Sequence, residues 1–244
     1  MKIIVSILFL VSSILCQINE EYIYKTKFRG INAGKTKIAL SKQIESQQMP
    51  TIITIESYSN RFIDMIYKLR HFSTIIVHPI DYSLLATTKK LRQGKYINSY
   101  NATIDYPQLL IYYQNTKNIS KQKTSEVITI PFTGKLYDPF GVVFYLKKLD
   151  LQVGNEYTFQ TYSKKNTYNF SIKIVNKEII KTPFSETECF VIIPQSLDGT
   201  DALKNNGEMK IWITTDTLKL PLKIQQKIKH GTMELVLEDY VHNK

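Results

Sequence analysis

The stretch Gly30-Ile31-Asn32-Ala33-Gly34-Lys35-Thr36 sets two glycines and a lysine in an order close to that of a phosphate-cradling loop. In such loops the glycines let backbone amides approach the phosphates and the lysine reaches the terminal one. The spacing here is one residue short. The loop must also open a helix whose N-terminus faces the anion, and here the chain continues into the alternating Thr36-Lys37-Ile38-Ala39-Leu40-Ser41. The segment therefore reads as a β-hairpin turn, with Gly30 and Gly34 as structural glycines.

Other chemistry is sparse. His71, His78, His230 and His242 stand too far apart for a local metal signature. Cys189 is followed by Phe190-Val191-Ile192-Ile193, the setting of a buried, inert strand thiol. No Gly-x-Ser-x-Gly elbow presents a nucleophilic serine, and no pair of carboxylates stands out as an acid/base couple. The expectation is a non-catalytic protein with no cofactor and no metal. A hydrolase whose residues are scattered over several strands is the third-ranked reading. Asn101-Ala102-Thr103, Asn118-Ile119-Ser120 and Asn169-Phe170-Ser171 are glycosylation sequons that arise by chance in an Asn-rich chain and matter only in a eukaryotic setting.

The N-terminus is Met1-Lys2 followed by an apolar run from Ile3 to Leu15, relieved only by Ser6, Ser12 and Ser13. That is the charged-then-apolar order of a secretory signal, and the run is short for a bilayer span. We expect residues 1–16 to be a signal peptide cut between Cys16 and Gln17. Acylation at Cys16 is the main rival, disfavoured by the bulk of Leu15, and an uncleaved anchor ranks third. Residues 17–244 then form one domain with no membrane helix, working in the periplasm or outside the cell. Cys189 would be its only thiol, so no internal disulfide can form.

The net charge is +11, yet the basic residues are lysines apart from Arg29, Arg61, Arg70 and Arg92. Specific phosphate recognition favours the arginine fork. The lysines are also scattered along the chain, so they read as solvated faces and argue against a nucleic-acid partner.

The elements that would hold any site are mostly strands. Alternation is clear in Tyr22–Phe28, Thr51–Glu56, Val127–Phe132 and in a C-terminal series from Glu156 to Tyr240, with about three further strands between His71 and Gln114. In the last hairpin Leu222 and Ile224 alternate with Lys223 and Gln225, giving one apolar and one wet face. Two short helices interrupt them. Phe62, Met65, Ile66 and Leu69 recur at helical spacing after Asn60. Asp138-Pro139 supplies an N-cap and a first-turn proline for a second helix running to Leu149. The fold class is mainly β, an antiparallel closed or half-open barrel or strongly curved sheet with two short helices.

Phe140, Phe144, Tyr145 and Trp212 are the candidate lining of a cavity or core, with the helix lying across the sheet and Trp212 expected beneath it. Asp216 reads as a turn residue and Pro221 as the start or edge of a strand.

Tyr137-Asp138-Pro139-Phe140 leading to Phe144-Tyr145-Leu146, Thr182-Pro183 before Glu188-Cys189-Phe190 and Pro194, Trp212 to Asp216, and Leu220-Pro221-Leu222-Lys223 follow in an order that resembles a bacterial exported family, domain of unknown function 3108. The Gly30–Gly34 segment fits it too. The resemblance implies a cell-envelope or secreted setting and a β-rich fold, and nothing catalytic. Lys147 stands where that family's helix usually carries Arg, and Thr215 where the first of an Asp pair is common. Both departures argue against ionic work at those positions.

The leading expectation is a carrier for a hydrophobic, lipid-like envelope molecule. The alternative is a structural or assembly factor acting through contacts with envelope proteins. A filled interior would favour the second.

Overall fold

The structure, a computed structural model, describes residues 17–42, 49–116, 126–163, 166–181, 186–197, 209–228 and 231–243. The expected leader with Cys16, the Asn118 sequon, Thr182-Pro183 and His230 lie outside the described residues.

The first half is a meander of β1 (Gln17–Phe28), β2 (Ile31–Lys42), β3 (Thr51–Ser59), a single helical turn α1 (Arg61–Asp64), β4 (Leu69–Val77), β5 (Leu84–Gln93), β6 (Tyr96–Asp105), β7 (Leu110–Asn115) and β8 (Val127–Pro131). Helix α2 (Pro139–Tyr145) runs into a 3-10 turn at Leu146–Lys148. A second meander follows: β9 (Glu156–Ser163), β10 (Asn166–Lys181), β11 (Glu186–Ser196), β12 (Met209–Thr214), β13 (Pro221–Ile228) and β14 (Gly231–His242). All strand pairs are antiparallel and form one sheet, ordered β8-β7-β6-β5-β4-β3-β2-β1-β14-β13-β12-β11-β10-β9. The two meanders join where β1 pairs with β14, Tyr24 opposite Leu237.

The sheet has two edges, β8 and β9, which do not pair with each other, so a strand-closed barrel is not what forms. The link between β8 and α2 spans the gap instead. Leu136 makes a parallel bridge to Gln160 of β9, its carbonyl accepts from Leu84 N at the start of β5 (2.7 Å), and Tyr137 N donates to Gln160 O (2.8 Å). One residue thus touches strands far apart in the sheet order, which requires the sheet to roll on itself. Bulges at Ile23/Tyr24, Thr26/Lys27 and Ile174/Asn176 add the extra twist that such curvature needs.

The alternation that makes these segments strands also sorts their faces. In β3, Ile53 and Ile55 are buried while Glu56 and Tyr58 are exposed. Two apolar clusters fill the rolled sheet. One gathers Tyr22, Tyr24, Ile38, Ile53, Ile75, Ile111 and their neighbours, mostly from β1 to β8. The other gathers Phe159, Phe170, Ile172, Ile192, Ile211 and their neighbours from β9 to β13. Truncating a wholly buried member such as Ile53 to Ala should cost about 2–5 kcal/mol.

Three local expectations are corrected. The hairpin turn is Arg29-Gly30, both at positive φ, and Gly34 already lies inside β2. Gly34 is required for a different reason: a Cβ there would sit 2.1 Å from the Tyr58 carbonyl oxygen across the β2–β3 pair. The first helix is one turn, because Leu69 is taken into β4, and Phe62, Met65 and Ile66 point into solvent instead of packing. The region from His71 to Gln114 holds four strands, since β4 begins at Leu69.

Candidate functional site

The sequence places the most chemistry around α2, and the fold buries it. Asp138 caps the helix, its carboxylate accepting from Phe140 N (2.8 Å) and Gly141 N (3.4 Å), with Pro139 in the first turn. Burial pushes the Asp138 carboxyl up, against the pull of Lys89 and of the two amide bonds. Gly141, Val142, Val143 and Phe144 are all buried, as is Leu146 beyond them, so the helix is apolar around most of its girth. Val142, Val143 and Leu146 join the β9–β13 cluster, whereas Phe144 joins the other. The helix therefore lies between the two halves of the sheet as a plug.

Aromatic rings seat it. Phe144 lies 5.2 Å from the Tyr22 ring. Tyr145 stacks on Tyr82 (6.0 Å) and Tyr137 (6.1 Å) and meets Phe159 edge-on (6.3 Å). Phe140 is partly buried against the first cluster.

Just past the helix, two lysines fasten it to the first meander, at β1 and at the link between β4 and β5. Lys147 Nζ donates to Glu20 Oε2 (2.6 Å) and to the Tyr22 hydroxyl (2.7 Å), and that hydroxyl donates in turn to the same Glu20 oxygen. The three groups form a closed triangle in which Lys147 and Glu20 side chains are only 17% and 19% exposed. Burial raises the Glu20 carboxyl, but the bonds from Lys147 and Tyr22 and the lysine charge outweigh it and hold the group below its usual range. Burial, followed by the Glu20 charge, drives the Tyr22 phenol far above its usual range. Lys148 Nζ donates to the Pro79 and Ile80 carbonyls (2.8 and 3.1 Å) and lies 4.7 Å from the centre of the Tyr82 ring. From the other meander, Lys219 Nζ donates to the Leu149 carbonyl.

This triangle corrects the expectation that Lys147 does no ionic work. It offers little chemistry, however: Glu20 Oε2 already holds two donors and the carboxyl is kept below its usual range, the phenol is held protonated and the ammonium is engaged, so the group is a poor base for a substrate proton. The network was hidden in the sequence because Lys147 and Glu20 are 127 residues apart. Only the i, i+2 spacing of Glu20 and Tyr22 on one strand face hints at it.

The remaining candidates lie elsewhere. Trp212 is buried in the first cluster, its Nε1 donating to Glu178 Oε2 (2.9 Å) and its ring facing Lys223 Nζ (5.0 Å). Trp212 shares the first cluster with Phe144 of the helix, and its neighbours Ile211 and Ile213 share the second with Val142 and Val143. Asp216 is a turn residue, accepting from Thr214 Oγ1 (2.6 Å), Leu218 N (3.1 Å) and Lys219 N (3.1 Å). Pro221 opens β13 inside the sheet, not at an edge, and its carbonyl accepts from the buried Tyr24 hydroxyl (2.9 Å). Cys189 is buried, and burial followed by the Asp216 and Glu188 charges pushes its thiol up to about 12.

Among the described residues no group of three or more His, Cys, Asp or Glu is placed to hold a metal ion, and no helix is long and apolar enough to cross a membrane. An open concavity of about 190 Å³, lined by Glu56, Phe72, Thr74, Thr88 and Lys90 among others, lies on β3 to β5 away from α2. It is smaller than the roughly 300–1,000 Å³ of ordinary ligand pockets.

No curated protein matches the chain. Among solved structures it is similar to a β-barrel-like protein of domain of unknown function DUF1849 from Brucella abortus, with a TM-score of 0.61 and 9% identity over 93% of this chain and 98% of that one. At that identity the likeness speaks for the fold alone. The family model described as a protein of unknown function (DUF3108) matches residues 23–238, and the chain belongs to that family.

Proposed function

We propose that the protein is a non-catalytic exported protein of the cell envelope, delivered by cleavage of residues 1–16, that works through its outer surface as a structural or assembly factor. The observation that carries this reading is the position of α2. The space in which a rolled sheet would hold a lipid-like molecule is taken by the protein's own Val142, Val143, Phe144 and Leu146, clamped by Lys147 and Lys148. That occupancy ranks the surface reading above the carrier reading. The Glu20–Tyr22–Lys147 triangle, whose three groups are bound to one another, ranks a hydrolase lowest.

The test is native mass spectrometry of the mature chain from Gln17, exported naturally and purified gently. A bare polypeptide mass, unshifted by added envelope lipids, is the expected result. A lipid adduct that vanishes on unfolding would return the carrier reading to first place.

A further inference from the structure

We propose that the end of the sheet bearing α1 is a docking surface for an anionic phospholipid bilayer. In sequence the four arginines are dispersed, but the fold gathers all of them here. Arg29 lies in the β1–β2 turn, Arg61 opens α1, Arg70 begins β4, and Arg92 stands opposite Arg70 in the β4–β5 register. Lys68 and Lys95 flank them.

Asp64 and Glu234, two acidic residues at this end, are already engaged. Asp64 is gripped by Arg70, with Nη1 to Oδ1 at 2.9 Å and a second bond to Oδ2, and Glu234 is paired with Lys223 at 2.7 Å. Among the described residues around α1, Arg61, Lys68, Arg92 and Lys95 therefore give this end an excess of positive charge. Guanidinium forks match phosphate oxygens.

The same end carries large apolar side chains that the fold leaves exposed. Met65 and Ile66 are 75% and 79% exposed, and Phe62, Ile31, Tyr67 and Tyr96 are more than half exposed. They stand out from the protein instead of lining a groove, which suits insertion among head groups better than a protein pocket.

The projection is held in place. Asn60 N donates to Ala33 O (2.9 Å) and Asn60 Nδ2 to Asn32 O (2.8 Å), tying α1 to the β1–β2 hairpin. On the other side Gly94 N donates to Lys68 O (2.9 Å), and a Cβ on Gly94 would lie 3.1 Å from the Tyr67 ring. Apolar tips ringed by cations are the composition of a surface that rests on anionic lipid.

The proposal is independent of what else the protein contacts, and it is tested by flotation with vesicles of phosphatidylcholine alone or with about 30% phosphatidylglycerol. Binding should require phosphatidylglycerol and weaken with salt. Arg61→Glu with Arg92→Glu should weaken it by about tenfold or more, and so should Phe62→Ser with Ile66→Ser, each pair melting as the parent does. Lys173→Glu with Lys181→Glu, an equal charge change on exposed lysines of β10 away from this end, should leave it within about twofold. Equal loss in that control, no preference for phosphatidylglycerol, or indifference to both test pairs would overturn the proposal. So would a parent that ignores vesicles but self-associates, with Phe62→Ser and Ile66→Ser making it monomeric, since the patch would then join two copies.

Discussion

Lys147 Nζ lies 2.6 Å from Glu20 Oε2, joining the end of the only long apolar helical segment among the described residues to the first strand of the sheet. Replacing Lys147 by Met strands a carboxylate and a phenol in a poorly hydrated place, and should destabilise the fold by about 2–3 kcal/mol, the lower end of the range for breaking a buried pair because some solvent reaches this one. Lys147→Arg, which keeps the charge and the donors, should cost less than half as much. Urea midpoints decide it, and a near-neutral Lys147→Met would remove the clasp from the account.

Gly34 and Gly30 should separate cleanly. Gly34→Ala drives a Cβ against the Tyr58 carbonyl, backbone against backbone, and should cost about 3 kcal/mol or prevent folding. Gly30→Ala meets open space and only the positive-φ penalty, about 1 kcal/mol. Similar melting temperatures for the two variants would contradict the β2–β3 approach described above.

Acid should weaken the fold before its carboxylates titrate. Burial, with help from Lys89, lowers the His71 imidazole to about 4, and its Nε2 has no hydrogen-bond partner. The unfolded chain therefore binds a proton between about pH 6.5 and 4 that the folded chain refuses, so stability is full above the unfolded value and falls through that window, by about 3 kcal/mol. Asp138, raised in the fold, works in the opposite direction. Asp81 adds its own loss only as pH falls below its ordinary range toward about 2. Denaturant titrations of parent and His71→Phe should differ in slope between pH 6.5 and 4, and parallel curves would refute the assignment.

Cys189 should ignore Ellman's reagent at pH 8 while folded and react at once in denaturant, because its thiol is buried and held protonated. Rapid reaction of the native protein would mean that β11 opens readily.

What could be read from the sequence was whatever depends on near neighbours. Asp138-Pro139 announces a helix start through capping chemistry alone, and the helix begins there. Alternation finds the strands because a half-buried sheet imposes it. Phe62, Met65 and Ile66 mislead for the same local reason: their period is helical, but nothing in the fold comes to cover them. The Lys147 triangle, the gathering of Arg29, Arg61, Arg70 and Arg92, and the clustering of Ile211 and Ile213 with Val142 and Val143 depend on which distant strands become neighbours. No window of a dozen residues contains that information.

The pairing of β1 with β14 sets a schedule for folding. The earliest of the described strands to be synthesised must wait beside β2 with one flank bare until the final strand has been delivered. Throughout that interval the half-built sheet offers a row of unsatisfied amides and carbonyls to any passing chain. A holding chaperone at the exit site, or rapid transit of the second meander, is what would keep the nascent protein from joining its neighbours edge to edge.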